Sequence, residues 1–100
     1  MARIYPLFSS SKGNSTFIGE PGGGILIDAG VSFKKLTAAL ADSGLSLASI
    51  KGIFITHSHS DHVKGLKMLT KKTGLPVFGQ RETLEELISG EMIAPACEVY

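Results

Sequence analysis

The sequence predicts an α+β chain, an α/β sandwich in which helices cover a sheet, and three observations carry that prediction. Short apolar runs bounded by glycine and proline turns fill the first part of the chain. From Ser32 onward, segments with apolar residues at helical spacing alternate with further strand-like runs. The composition, 43% hydrophobic and 19% charged over 100 residues, is that of a globular chain able to bury a modest core.

The elements follow in order. Residues 3–8 read as a strand, 9–15 (SSSKGNS) as a polar, glycine-bearing loop, and 16–19 as a second short strand. Pro21-Gly22-Gly23-Gly24 turns the chain into Gly24-Ile25-Leu26-Ile27, an apolar run of the buried-strand type that stops at Asp28-Ala29-Gly30. A β-hairpin therefore opens the chain. With Ser32 as N-cap, Phe33, Leu36, Thr37, Leu40 and Ala41 form one helical face, and Gly44 is the stop. Residues 52–56 are the next strand. Val63, Leu66, Leu69 and Thr73 mark a second helix whose other face carries Lys64, Lys67, Lys71 and Lys72, and Gly74 ends it. Residues 75–78 read as a short strand, 82–89 as a helix with Leu84, Leu87 and Ile88 inward, and 92–100 as extended chain. No repeat, linker or low-complexity segment divides residues 1–100, which predicts one structural unit.

A formal net charge of +1 supplies no global field that would draw the chain onto nucleic acid or an anionic membrane, so any such binding needs a local patch. The single cysteine, Cys97, excludes an internal disulfide and reads as a small buried hydrophobe. The start of the chain lacks a signal-peptide pattern, and a cytoplasmic location is the expectation. No apolar run approaches the ~20 residues of a membrane span, so no membrane partner is expected.

The chemistry concentrates in Thr56-His57-Ser58-His59-Ser60-Asp61-His62, which holds all three histidines of the chain. His57 and His59 are two apart after a strand, so in extended backbone both project from one side toward one ion. Asp61 and His62 follow at the start of a helix. Mixed imidazole and carboxylate donors favour a transition metal over Ca²⁺ or Mg²⁺, with Zn²⁺, Mn²⁺ and Fe all compatible. Four donors in six residues exceed what one tetrahedral ion with an open position takes from one loop. Two divalent ions sharing a water are the natural reading, and they make a hydrolase site. The alternative is a polar loop bearing surface histidines.

This THSHSDH segment resembles the HxHxDH signature of the metallo-β-lactamase-fold hydrolases, whose first half has the same order of strands and helices. The resemblance implies the N-terminal half of a four-layer αββα sandwich. It implies that His57 and His59 serve one metal, that Asp61 and His62 serve the second, and that Asp61 orients the nucleophilic water. Asp28, after the ILI run, matches a family aspartate that supports the metal site; a ligating imidazole commonly donates its other N–H to such a carboxylate. A plain turn-forming aspartate is the other reading.

The SSSKGNS loop followed by ILIDAG is similar to the YycJ/WalJ branch, which implies DNA exonuclease activity with two divalent metals, Zn or Mn. Ser11, Gly13, Asn14 and Ser15 are then candidates for a substrate or phosphate loop built as an anion nest, with a simple tight turn as the alternative. Lys64, Lys67, Lys71 and Lys72 offer a second phosphate contact or a merely solvated face. The chain has no histidine after His62, whereas the family's second half supplies further ligands. These 100 residues are accordingly expected to be truncated at the C-terminus, under-ligated and inactive alone, with the missing half or self-association covering an exposed sheet face. Alongside phosphodiester hydrolysis stand thioester or lactone hydrolysis on the same fold and a non-catalytic metal-binding scaffold.

Overall fold

A computed structural model describes residues 2–100. Five strands, β1 (Arg3–Ser10), β2 (Gly13–Glu20), β3 (Gly23–Ile27), β4 (Ile50–Phe54) and β5 (Val77–Phe78), form one mixed sheet in their chain order. The first three are antiparallel neighbours, as tight turns allow, whereas β3, β4 and β5 run parallel and need crossovers. Helix α1 (Phe33–Asp42) and a 3-10 turn (Leu47–Ser49) make the first crossover, and α2 (Ser60–Val63) and α3 (Leu66–Thr73) make the second; α4 (Arg81–Ser89) follows β5.

Strand alternation decides which sheet face the helices cover. Phe17, Leu26, Ile53 and Val77 point to one face and are fully buried against Leu36 and Leu40 of α1, Leu66 and Leu69 of α3, and Leu87 of α4. Their neighbours Ile18, Ile25, Phe54 and Phe78 point the other way and are exposed, together with Ile4 and Tyr100. The rows Ile4, Ile18, Ile25 and Ile27, Phe54, Phe78 lie in register, so these side chains form one continuous apolar surface. The result is a sheet with helices on one face, the mixed α/β architecture that the sequence predicts.

Ile88, expected inward on the helix after β5, is exposed, and α4 buries Thr83, Leu84 and Leu87 instead. Three further predicted elements differ in detail. Residues 9–15 are mostly strand: β1 and β2 pair as far as Ser10 opposite Gly13, and only Ser11 and Lys12 remain as the turn. The helix predicted after the histidines is broken at Lys64 and Gly65, because Gly65 donates its N–H to the Ala29 carbonyl at 2.8 Å. A side chain at Gly65 would also collide with the Val31 carbonyl, which explains the glycine there. Residues 92–100 are not extended throughout. They turn, with Ala94 donating its N–H to Thr70 Oγ1 at 3.0 Å, and pair with β5 only through a parallel bridge at Val99. Ser32 caps α1 as predicted, accepting the Lys35 N–H at 3.3 Å. No helix among the described residues is long and apolar enough to cross a membrane.

Candidate metal centre

The parallel pairing of β3 and β4 brings two loops out side by side at their C-terminal ends, where Ile27 is opposite Phe54. Such ends of an open α/β sheet are where ligands are held. The first loop begins with Asp28, whose backbone lies in the left-handed region at φ 63°, a conformation that aspartate tolerates better than most residues. Its N–H donates to the Phe54 carbonyl at 2.8 Å, and its own carbonyl accepts Ser15 Oγ–H at 2.8 Å.

The Asp28 side chain, only 7% exposed, accepts three bonds on its carboxylate. Thr56 donates its N–H to Oδ1 at 2.8 Å and its hydroxyl to Oδ2 at 2.6 Å, and His62 Nδ1 lies 2.8 Å from Oδ2. An ionised carboxylate can only accept, so Nδ1 of His62 carries the hydrogen, and in the neutral ring Nε2 then carries the lone pair. Asp28 therefore holds a histidine 34 residues away in one tautomer and one ring orientation. It is more than a turn former.

Nε2 of His62 stands 3.4 Å from Oδ2 of Asp61. Two donors of a tetrahedral ion at ~2.0 to 2.1 Å are about 3.3 Å apart, so this pair has the spacing of two ligands of one zinc-like ion. His57 and His59, both exposed, present nearly parallel rings with centroids 6.3 Å apart, and the His57 ring lies 4.7 Å from that of His62. Among the described residues no three His, Cys, Asp or Glu side chains converge on one point. The four predicted donors share one loop by their sequence adjacency, and of them only Asp61 and His62 stand at the spacing of two ligands of one ion.

The loop is fastened by backbone. Ala29 donates its N–H to the His62 carbonyl at 2.8 Å, and Gly30 donates to the Asn14 carbonyl at 2.9 Å. Gly30 has to be glycine, since a Cβ there would run into the Asp61 carbonyl and come within 2.6 Å of the Asn14 nitrogen. Asn14 itself donates from Nδ2 to the carbonyl and to Oδ2 of Asp61, each at 3.3 Å. The proposed phosphate loop therefore separates into different parts. Gly13 and Ser15 are buried within β2, with the Ser15 hydroxyl committed to Asp28, so neither is available as an anion nest. Asn14 bridges to the metal loop. Only Ser11 stays exposed beside it, in a cleft of about 480 Å³ shared with Lys12, Lys35, Ser60, Asp61 and Lys64.

The lysines of the second helical segment also part company. Lys64 lines that cleft, whereas Lys67 faces Ile88, Glu91 and Cys97 in a separate cavity and Lys71 lines a third. Cys97 is half-buried among these apolar neighbours; burial is the main cause pushing its thiol above the usual range, which makes it a poor source of thiolate ligand near neutral pH. Sequence reasoning assigns no part to Thr56, although its two bonds to Asp28 join the loops. The available signal is a small hydroxyl residue at a strand's end directly before the histidines.

Residues 11–95 match the family profile described as the Metallo-beta-lactamase superfamily. Over 85 residues the chain is 40% identical to exodeoxyribonuclease YycJ of Bacillus anthracis, covering 82% of this chain and 32% of that protein. It is 36% identical over 81 residues to exodeoxyribonuclease WalJ of Streptococcus pneumoniae, covering 81% of this chain and 30% of that one. Among solved structures, a HARLDQ-motif metallo-beta-lactamase from Cronobacter sakazakii superposes with a TM-score of 0.76 at 26% identity, over 87% of this chain and 35% of its own. The chain spans about a third of the length of the curated relatives it matches. Since the profile covers β2 to β5, the Asp28 loop and the histidine loop alike, the chain belongs to the metallo-beta-lactamase superfamily.

Proposed function

We propose that this chain is the N-terminal part of a metal-dependent hydrolase that cleaves phosphodiesters, with DNA as substrate. The observation that carries the reading is the Asp28 to His62 bond at 2.8 Å, which leaves Nε2 as a donor beside the Asp61 carboxylate. A surface histidine loop without a ligand to hold has no need of a buried carboxylate behind it. The exodeoxyribonuclease relatives support DNA as the substrate class.

In this reading His57 and His59 hold one ion, and Asp61 and His62 hold the other. Two divalent ions, Zn²⁺ or Mn²⁺, supply an acidified water and charge stabilisation for the attacking and leaving oxygens of a diester. The protein's own contribution is orientation. Asp28 keeps the His62 hydrogen on Nδ1, Thr56 holds Asp28, and Asn14 steadies the Asp61 carboxylate, which accepts a hydrogen bond from the attacking water and aims it.

The test uses the full-length protein. Metal content is measured together with turnover of a model phosphodiester and a model thioester. Bound metal and diester turnover are expected, with Asp61→Ala losing about a hundredfold or more, the scale of removing a positioned proton acceptor, and His59→Ala losing bound metal and turnover together. Normal turnover in either variant overturns the reading. Preferential thioester turnover moves it to thioester chemistry, and metal without any turnover makes the loop a scaffold.

A further inference from the structure

The cleft beside Asp61 has a charge pattern that the histidine loop does not explain. Three lysines reach it from three separate elements: Lys12 from the turn between β1 and β2, Lys35 from the first turn of α1, and Lys64 from the break between α2 and α3. All three are exposed, and among the described residues none forms an ion pair. The cleft thus sets three ammonium groups against the single carboxylate of Asp61, on a chain whose whole formal charge is only +1. Hydroxyls of Ser11 and Ser60 line the same walls.

We propose that Lys12, Lys35 and Lys64 form a phosphate track that holds the nucleic-acid backbone flanking the bond at Asp61. This rests on the phosphodiesterase reading and specifies how its polymeric substrate is held. Several features favour a polyanion over a single small anion. The three ammonium groups stand on three different elements, which spreads the positive charge along the cleft instead of concentrating it at one point. Lysine is a flexible point charge suited to backbone phosphates, and it reads no base sequence. No aromatic side chain lines the cleft, so binding there is electrostatic and indifferent to sequence. Asp61 at one wall sets the register, because it joins the track to the metal loop. Lys67 and Lys71 line other cavities and take no part.

The experiment measures binding of a short single-stranded DNA oligonucleotide to the full-length protein in EDTA across a salt series, so that affinity is read without turnover. A K12Q/K35Q/K64Q variant is compared with a charge-matched K67Q/K71Q/K72Q variant. The first is expected to flatten the slope of log affinity against log salt by about 2, at roughly 0.7 per single-strand phosphate contact, and the second to leave it close to the parent's. Circular dichroism of both variants checks that the fold is intact. Equal flattening by the two triples, an unmoved slope, or no DNA binding by the parent overturns the track. Diester turnover is assayed separately on the parent. Turnover with an unmoved slope sinks the track alone, whereas a flattened slope without turnover sinks the hydrolase reading and leaves the track standing.

Discussion

Replacing Asp28 by asparagine tests the link between the two loops with almost no change of shape. Asparagine tolerates φ 63° about as well as aspartate, so the backbone is not the variable. The carboxylate accepts from Thr56 N–H, Thr56 Oγ–H and His62 Nδ1–H, two of these at Oδ2. An amide keeps one oxygen for the Thr56 N–H and presents an NH₂ where Oδ2 stood. The Thr56 hydroxyl must then rotate, and His62 must move its hydrogen to Nε2 so that Nδ1 accepts. That hydrogen faces Asp61 and occupies the lone pair meant for a metal. Losing bonds to a buried charged group costs about 1.5 to 3 kcal/mol, so a loss of about 2 kcal/mol in stability is expected. Metal affinity should fall about 10- to 100-fold, the range for partners of ligating histidines. Chelator competition gives the affinity, and ¹⁵N NMR of the imidazoles gives the tautomer. Affinity within twofold of the parent, with His62 still protonated at Nδ1, would refute the orienting role.

Two further outcomes follow from packing. Gly30→Ala drives a methyl into the Asp61 carbonyl, so it should cost about 1 to 3 kcal/mol in a denaturant melt and weaken metal binding, while Gly22→Ala, with open space around it, should leave metal binding unchanged. The 100-residue chain alone should self-associate through the apolar sheet face. Because Ile18 and Ile25 are 36% and 48% exposed, I18S/I25S removes about 1 kcal/mol of burial per side chain, about 4 kcal/mol over the two copies of a symmetric dimer, and should raise the dissociation constant roughly a thousandfold by sedimentation. A constant unchanged by the double variant would place the contact elsewhere.

The local pattern of the sequence determined the order of strands and helices, the N-cap at Ser32 and the crowding of His57, His59, Asp61 and His62, because hydrophobic period, caps and ligand spacing act between near neighbours. Only the tertiary structure decided what those residues meet. It set the Asp28 carboxylate on His62 because parallel register aligns the ends of β3 and β4, and Asn14 on Asp61 across 47 residues because the Asp28 loop is bonded to β2 on one side and to the histidine loop on the other. It drew Gly13 and Ser15 into β2, broke the second helix where Gly65 meets Ala29, and turned residues 92–100 onto Thr70. It also divided the lysines, keeping Lys64 beside the metal loop with Lys12 and Lys35, and sending Lys67 and Lys71 to other cavities. No one-dimensional period encodes such pairings, since each arises where elements distant in the chain are closed against one another by burial of a shared apolar face.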